Sequence, residues 1–331
     1  MATLKDIAQR AGVTATTVSR VINNRGYISE GTRKKVYAAM EEMHYQPNEL
    51  ARAFSKQYTN TIGLIVPHIS HPFFIKVISN LESSAAEKGF KLLLCNSKEQ
   101  PEKEQDYLDM CISNRVAGIV LCSKYVQTRE FRKMNIPVVN LERGGDDDTI
   151  SVQCDNYQGG KLAAEHLIEC GCKNLLHFGG VAGKDMPADR RADGFSDVCK
   201  KAGIPYRILV SDRLQYGSMH YEDFIRRALQ EFPDVDGIFA SSDLIASQVI
   251  QVGAQMDKHV PEDIQLVGFD DVMISTVTTP QITTIHQPVE EMAELCVEYI
   301  TKSLKNEPVP QKIVLPVRLG QRGTTVLKTE I

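Results

Sequence analysis

Short apolar segments alternate with amphipathic helical patterns along most of this chain, from about residue 60 to its end. The apolar segments are rich in Val, Ile and Leu, and they lack the strict polar–apolar alternation of strands with one solvent-exposed face. This pattern is typical of parallel strands covered by helices on both faces. The sequence therefore predicts a doubly wound α/β fold, with strands at residues 62–66, 91–95, 118–122, 138–141, 175–178, 208–211, 237–240, 265–268 and 284–286.

Helical patterns connect these predicted strands. About 270 residues reach the size at which single hydrophobic cores stop growing, so two sheets are favoured over one. Ligands of such folds lie at the carboxyl ends of the strands, so we expect a binding cleft between the sheets. The helical patterns lie at residues 73–88, 102–114, 157–170, 188–202, 218–231, 243–256 and 289–304.

The composition excludes several classes of protein. The 331 residues are 42% hydrophobic and 24% charged, which argues against wholesale disorder and fibrous repeats. No stretch approaches the roughly 18 apolar residues of a membrane span, and residues 1–6 do not begin a signal peptide. The eight cysteines are scattered, so we expect reduced thiols in a cytoplasmic protein rather than a disulfide framework.

The formal net charge of −4 hides an asymmetry along the chain. The first 58 residues contain nine Lys and Arg and five Asp and Glu, so they carry +4 and the remainder carries −8. A small basic segment attached to a larger acidic one indicates that only the basic segment contacts a polyanion such as nucleic acid.

The basic segment contains three helical patterns. In the first, Leu4, Ile7 and Ala8 share one face after a candidate N-cap at Thr3, and Gly12 provides a turn before a second candidate N-cap at Thr14. The third helix is predicted from residue 29 to about residue 44. The second helix turns Val18, Val21 and Ile22 inward, which leaves a short, polar outer face that suits the major groove of DNA, formed by Ala15, Thr16, Ser19, Arg20 and Asn23.

These helices resemble the DNA-binding domain of the LacI/GalR family of bacterial repressors, through LKDIAQRAGVTATTVSRVINN and TRKKVYAAMEEMHYQPNELARAF. The resemblance continues to the end of the chain, through IGLIVPHISHPFF, VQCDNYQGGKLAAEHL, ADRRADGF, DGIFASSDLIASQVI, DIQLVGFDD and TTIHQP. It implies an all-α helix-turn-helix domain at 1–46, a hinge helix and linker at 47–59, and a periplasmic-binding-protein-like body at 60–331. The body would have two lobes, one of residues 60–160 and 290–320 and one of residues 161–289 and 321–331.

The resemblance also implies roles on double-stranded DNA, bound as a near-palindromic operator by a homodimer. Ala15, Thr16 and Arg20 would contact base edges, and the hinge helix would place Phe54 in the minor groove, where relatives usually have Leu. The alternative for Phe54 is packing between linker and body. Phosphate contacts would come mostly from Thr3, Thr14, Thr17, Ser19, Asn23, Tyr27 and Tyr45, and the hinge would add Asn48 and Ala51 to the DNA-binding set.

The cleft would hold a small-molecule effector. For several candidates a structural role is the alternative: helix packing for Phe73 and Phe74, a helix N-cap for Asp155, and an interlobe salt bridge for Glu142 and Arg143. Beside the candidates, we expect Arg190 to be solvated, Asp243 to be an N-cap and Asp271 to be structural. The full candidate set is Phe73, Phe74, Glu142, Arg143, Asp155, Arg191, Tyr216, Ser242, Asp270 and Gln287.

The effector class follows from the resemblance to the sugar-responsive branch of the family, of the sucrose-operon type. Aromatic rings, carboxylates and one arginine suit a neutral or phosphorylated carbohydrate, and a purine corepressor is the alternative. After the final strand, at residues 316–325, no leucine heptad follows, so a dimer is favoured over a helix-tethered tetramer.

Other classes of protein are less well supported. The segment at residues 178–185 lacks the first Gly and the final Ser or Thr of a phosphate-binding loop. Cys170 and Cys172 lack zinc spacing, and His68 and His71 have no carboxylate partner in sequence. We therefore expect no catalytic residues, no cofactor and no metal, with a non-regulatory sugar-binding protein or a cleft hydrolase as the alternatives.

Overall fold

The structure is a computed structural model that describes residues 2–23, 25–45, 58–123, 136–144, 149–181 and 186–327. It divides into two units, a head of Met1–Asn60 and a body of Thr61–Ile331. The predicted hinge residues Asn48, Ala51 and Phe54 lie outside the described residues.

The described residues of the head form three helices: α1 (Leu4–Ala11), α2 (Ala15–Ile22) and α3 (Glu30–Glu42). Thr3 caps α1 in a capping box, since its hydroxyl accepts from the Asp6 N–H and its own N–H donates to the Asp6 carboxylate at 2.8 Å. Thr14 caps α2 by accepting from the Thr17 N–H at 3.1 Å. Gly12 ends α1 with a φ of 67°. These predicted caps and the turn are confirmed.

The head has a small core of its own. The three helices pack around one apolar cluster, whose buried members are Ile7, Ala8, Val18, Val21, Val36 and Ala39. At the surface, Arg10 of α1 also donates a hydrogen bond to Glu42 of α3 at 2.7 Å.

In the body, the described residues form two six-stranded sheets, each with helices against it. In chain order its first elements are β1 (Thr61–Val66), α4 (Pro72–Glu87), β2 (Lys91–Asn96), α5 (Pro101–Ser113), β3 (Gly118–Leu121), β4 (Val138–Leu141), β5 (Ile150–Cys154), α6 (Asn156–Glu169), β6 (Leu175–Val181), a 3-10 turn (Pro187–Asp189), α7 (Arg190–Ala202) and β7 (Tyr206–Ser211). The later elements are α8 (Arg213–Ser218), α9 (Glu222–Glu231), β8 (Gly237–Ala240), α10 (Asp243–Gln255), β9 (Gln265–Asp270), α11 (Ile274–Val277), β10 (Thr283–His286), α12 (Val289–Leu304), β11 (Lys312–Leu315) and β12 (Arg318–Gly320).

The first sheet has the order β11-β5-β4-β3-β1-β2 and all its pairings are parallel. The second has the order β12-β10-β9-β8-β6-β7 and is parallel apart from β12, which runs antiparallel to β10. We call the first sheet with its helices the first lobe, and the second sheet with its helices the second lobe. The predicted fold class, an all-α head with two doubly wound sheets, is confirmed.

Several element predictions differ from the structure. Strands β5 and β11 were not predicted, and neither were the short helices α8 and α11. The helix predicted at 218–231 begins only at Glu222, because Met219 takes a left-handed φ of 62° and separates α8 from α9.

The lobe boundaries also need correction. Strand β12 pairs with β10 in the second sheet, so residues 318–320 belong to the second lobe and not to the first. Helix α6 begins at Asn156 and packs on α7, so the predicted boundary at 160 cuts through a helix of the second lobe. The chain crosses between the lobes after β5, after β10 and between β11 and β12.

One large apolar cluster joins the two lobes, with β1 and β3 residues on one side and Phe239 and Phe269 on the other. All eight cysteines are free and buried. Within the parts of the chain that the structure describes, no helix is long and apolar enough to cross a membrane.

Candidate functional site

A cleft opens between the lobes at the carboxyl ends of the parallel strands. It holds a cavity of about 150 Å³ within about 1060 Å³ of empty space that includes the open mouth. The first lobe supplies Pro67, His71, Phe73, Phe74, Glu99, Cys122, Ser123 and Glu142. The second supplies Gly180, Met186, Ala188, Asp189, Arg191, Ser211, Tyr216, Tyr221, Ser241, Ser242, Ile245 and Asp270, and Gln287 follows β10.

Arg191 enters the cleft from the first turn of α7 and is held on three sides. Its Nε donates to Asn156 Oδ1 at 2.7 Å, and its Nη1 donates to the Ser241 carbonyl at 2.6 Å. The guanidinium carbon lies 3.5 Å from the centroid of the Phe269 ring. A guanidinium has five N–H donors, so three remain for a ligand in a fixed orientation.

Two glycines allow the close helix contact that places Arg191. A Cβ on Gly160 of α6 would lie 1.9 Å from the Arg191 carbonyl oxygen, and a Cβ on Gly194 of α7 would lie 2.0 Å from the Tyr157 carbonyl oxygen. Neither contact is possible for a side chain, so the backbones of α6 and α7 touch only because both residues are Gly.

Asp270 ends β9 inside the cleft with a strained φ of 108°. Gln287 Nε2 donates to its Oδ1 at 2.6 Å. Burial raises the pKa of Asp270 to about 7, against the opposing effects of Arg191 and the Gln287 hydrogen bond. Asp270 therefore changes its protonation near neutral pH.

Two acidic neighbours have structural roles. Asp243 is fully buried, accepts from the Val272 N–H at 2.9 Å and from the Thr284 hydroxyl, and has its pKa raised by burial. Asp271 accepts from Arg322 at 2.6 Å and from His286 at 2.8 Å. The structural interpretation of Asp271 therefore agrees with its contacts.

Glu142 connects the first lobe to the Arg191 site. It follows β4 with a left-handed φ of 49°, and its carboxylate accepts from the Cys154 N–H and from Asn156 Nδ2, the latter at 2.9 Å. Since Asn156 Oδ1 accepts from Arg191, a continuous polar chain runs from Glu142 through Asn156 to Arg191.

Aromatic side chains from both lobes form one side of the cleft. Phe73 and Phe74 are 7% exposed each and pack edge to face at 5.2 Å between centroids, so they belong to the core as well as to the lining. The ring centroid of Tyr216 in the second lobe lies 6.3 Å from that of His71 in the first lobe. Burial lowers the pKa of His71 to about 4, so this imidazole is neutral at pH 7.

The structure brings eight of the ten candidate effector residues to the cleft lining, but not Arg143 and Asp155. Arg143 is buried beside the first sheet, where Nη1 donates to Asn140 Oδ1 at 2.9 Å. Asp155 caps α6 by accepting from the Gln158 N–H at 2.9 Å, which is the alternative role that the sequence allowed. Their predicted contact with the effector stays a prediction that the described cleft lining does not support.

The cap of α10 was assigned to the wrong residue. Ser242, a cleft-lining residue, accepts from the Ile245 N–H at 3.2 Å, so Ser242 and not Asp243 is the N-cap. Arg190 is exposed and pairs with Asp193 at 3.0 Å, in agreement with its predicted solvated position.

Sequence reasoning missed several lining residues, among them Ser123, Ser211 and Ser241. Each lies at or just beyond the carboxyl end of a strand, β3, β7 or β8. The strand-end rule that led to Asp270 would have found them too.

Among the residues that the structure describes, no cluster of three or more His, Cys, Asp or Glu side chains could hold a metal ion.

The head presents its second helix with a polar outer face. Thr16 and Arg20 are exposed, whereas Ala15, Ser19 and Asn23 are partly buried. At the start of α2, the hydroxyl groups of Thr14 and Thr17 form a hydrogen bond at 2.9 Å. Thr3 lies at the start of α1. Tyr27 is 98% exposed, whereas Tyr45 packs partly against the head core.

Comparison with known proteins finds two matching family models. Residues 3–48 match the bacterial regulatory proteins of the lacI family, and residues 164–325 match a periplasmic binding protein-like domain.

Individual relatives match almost the whole chain. A ribose operon repressor from Halalkalibacterium halodurans is 33% identical over 98% of this chain and 97% of its own. A sucrose operon repressor from Pediococcus pentosaceus is 35% identical over 96% of this chain and 97% of its own. A solved structure of a periplasmic binding protein/LacI transcriptional regulator from Alkaliphilus metalliredigens, complexed with D-xylulofuranose, is 32% identical with a TM-score of 0.73, over 81% of this chain and all of that one.

Proposed function

The chain belongs to the LacI family of bacterial regulatory proteins, and on this premise we propose that it is a transcriptional repressor whose affinity for its operator is controlled by a carbohydrate bound in the cleft. The observation that carries the carbohydrate assignment is the convergence of Arg191, Asp270, Gln287 and Glu142 beside an aromatic wall. Carboxylates and amides accept from sugar hydroxyls, a guanidinium donates to them, and rings cover the apolar faces of sugars.

The head supplies the DNA-binding surface in this proposal. Helix α2 enters the major groove, with Arg20, Thr16 and Ala15 at base edges. The contacts of Thr3, Thr14, Thr17, Ser19, Asn23, Tyr27 and Tyr45 fall on phosphates and set the register of the protein on the duplex. A homodimer places two such helices on a near-palindromic site, and the hinge residues Asn48, Ala51 and Phe54 contact its centre.

Control by the ligand requires that the lobes respond to it. The polar chain Glu142–Asn156–Arg191 joins the lobes at the cleft, beside the crossover after β5. A ligand that binds one lobe arrangement better shifts the population toward it, by no more than its difference in affinity for the two arrangements. We propose that this shift changes the separation of the two hinges in the dimer.

We propose that the protein binds its ligand without catalysing a reaction. We also propose that it is located in the cytoplasm, where it has access to DNA. The relatives with matching length are named as repressors, which supports a regulator over a cleft hydrolase. At the sheet ends the Arg191 guanidinium donates to Asn156 and to the Ser241 carbonyl, and the buried Asp270 carboxyl accepts from Gln287, an arrangement suited to holding a polyol.

The proposal is tested with the full-length protein in two assays. Selection from a random duplex library should enrich a near-palindromic sequence, whose binding constant falls steeply as salt increases. Thermal-shift screening of sugars, sugar phosphates and purines should show one carbohydrate that raises the melting temperature and changes affinity for the enriched sequence.

Other outcomes identify the alternatives. A purine as the stabilising ligand would establish the corepressor alternative. Sugar binding without any enriched duplex would indicate a non-regulatory binding protein. Conversion of the bound sugar to a product would establish an enzyme.

A further inference from the structure

Two buried serine hydroxyls face the cleft from opposite lobes. Ser123 follows β3 in the first lobe and is 3% exposed, and Ser211 ends β7 in the second lobe and is 2% exposed. Both line the cleft, and neither Oγ has a hydrogen-bond partner among the described residues. A buried hydroxyl without a partner is costly, so its presence at both walls of one cleft requires an explanation.

A third polar atom has the same property. Gln287 donates through Nε2 to Asp270, but its Oε1 is buried without a partner among the described residues. An amide oxygen only accepts, so it is satisfied by a ligand that donates. A serine hydroxyl both donates and accepts, and rotation about its single χ1 bond redirects it toward a ligand. Together the three atoms suit a ligand with several hydroxyl groups.

The charges around the cleft restrict the ligand further. Among the described lining residues, ordinary carboxyl groups come from Glu99, Glu142 and Asp189, and a fourth comes from Asp270, whose raised pKa of about 7 keeps it protonated in acid, whereas Arg191 is the one guanidinium and no lysine is present. Two of the five Arg191 donors are already used on Asn156 and on the Ser241 carbonyl. A phosphate group would bring further negative charge to this acidic lining, where low dielectric strengthens repulsion.

We infer that the effector is an uncharged polyhydroxyl compound, a free sugar and not its phosphate, which bridges the lobes by hydrogen bonds to Ser123 Oγ and Ser211 Oγ. This inference rests on the proposed function and makes its ligand class specific. Contact with both serines favours the lobe arrangement in which they lie across the cleft from each other, so the same two hydroxyls contribute to the conformational response.

The test is calorimetric titration of the full-length protein with matched probes. These are ribose and ribose 5-phosphate, fructose and fructose 6-phosphate, glucose and glucose 6-phosphate, and sucrose and sucrose 6-phosphate. The free sugar of one pair should bind, and its phosphate should bind at least about tenfold more weakly. Ser123→Ala and Ser211→Ala should each weaken binding of that free sugar by about tenfold.

A second measurement separates a ligand contact from a structural role. The melting temperature of the unliganded protein should not fall in Ser123→Ala or Ser211→Ala, because each hydroxyl removed has no hydrogen-bond partner among the described residues to lose. Ser83→Ala is the matched control. Its exposed hydroxyl on α4 donates to the Ser79 carbonyl at 3.1 Å, and the variant should keep the wild-type sugar affinity.

The outcomes distinguish this inference from the proposed function. Equal or tighter binding of a phosphate overturns the inference and leaves a carbohydrate-responsive repressor. Unchanged sugar affinity in both serine variants, or a fall in unliganded melting temperature that accounts for the lost affinity, also overturns it. Binding of no probe overturns the inference together with the carbohydrate part of the function. Sugar binding that follows the expected pattern without any enriched duplex supports the inference and removes the repressor function.

Discussion

The central carbon of the Arg191 guanidinium lies over the Phe269 ring, 3.5 Å from the ring centroid. Phe269 is fully buried in the apolar cluster that joins the two lobes, whereas Arg191 lines the cleft. This pair therefore connects the ligand site to the shared core, and a change in the position of Arg191 also changes the packing of that core.

Replacing Arg191 by Ala should affect both stability and ligand binding. Asn156 Oδ1 and the Ser241 carbonyl would lose their donor, and the ring would lose its cation. We expect the free energy of unfolding in urea to fall by about 3 kcal/mol, and affinity for the sugar to fall more than about tenfold. Arg190→Ala is the control, because Arg190 is exposed and its contacts with Asp193 and the Tyr157 ring lie at the surface. It should change stability by less than about 0.5 kcal/mol.

Replacing Gly160 by Ala tests how the helix contact places Arg191. The new Cβ would lie 1.9 Å from the Arg191 carbonyl oxygen, so α6 and α7 must move apart. Urea unfolding should show a loss of about 2–3 kcal/mol, and titration should show weaker sugar binding because the backbone of Arg191 is displaced. Gly217→Ala has open space around the added methyl group and should show neither effect. An unchanged sugar affinity in a folded Gly160→Ala protein would contradict the positioning role.

The sequence predicted nine of the described strands, and in β1, β3 and β8 burial on both faces leaves an apolar run that a single sequence shows. It missed β5, where Ser151 and Gln153 interrupt the apolar run, and β11, an edge strand of the first sheet with one buried residue. Helix α8 was missed because its six residues are too few to show a helical period, although Asp212 provides a capping box.

Single residues of the candidate site could be predicted from their position at strand ends and from the family resemblance. Asp270 and Arg191, predicted in this way, line the cleft, whereas Arg143 and Asp155 do not. The contacts that give the site its properties join distant parts of the chain, such as Arg191 with Phe269 and Gly160 with Arg191. A glycine required by a close helix contact has no distinguishing pattern in one sequence, so these contacts needed the folded structure.

The raised pKa of Asp270 predicts a pH-dependent stability. Between its ordinary value of 3.8 and its folded value of about 7, the folded protein keeps a proton that the unfolded chain releases. The contribution of this group to the free energy of unfolding is therefore fully present below about pH 4 and lost as pH rises toward 7 and above. Asp270→Asn should remove a dependence of at most about 4 kcal/mol, measured as the difference from wild type in urea unfolding between pH 4 and pH 8.

The comparison must be between variants, because His71 has the opposite effect. Its pKa is lowered to about 4 by burial, so its contribution is lost as pH falls from about 6.5 toward 4 in wild type and in Asp270→Asn alike. Asp271→Asn is the matched control. Although burial acts to raise it, hydrogen bonds from Arg322 and His286 lower the pKa of Asp271, so its stabilising contribution is lost only in acid, below its ordinary 3.8. A pH dependence that is identical in wild type and Asp270→Asn would contradict the buried, protonated Asp270.

Arg20 should determine sequence preference on DNA more than overall affinity. It is exposed in the last turn of α2, and its neighbours on that face, Ala15 and Thr16, are too small to make bidentate base contacts. Arg20→Ala should reduce discrimination at one base pair of the enriched site by about 1–3 kcal/mol, and should lower the slope of log affinity against log salt by about one at most. Fluorescence anisotropy with the enriched duplex and its single-base variants measures both quantities. Arg10→Ala removes a surface cation that pairs with Glu42 across α1 and α3, so it should leave base discrimination unchanged. If Arg20→Ala and Arg10→Ala weakened binding to all duplexes by the same factor, Arg20 would be a phosphate contact and base preference would have to come from elsewhere on the head.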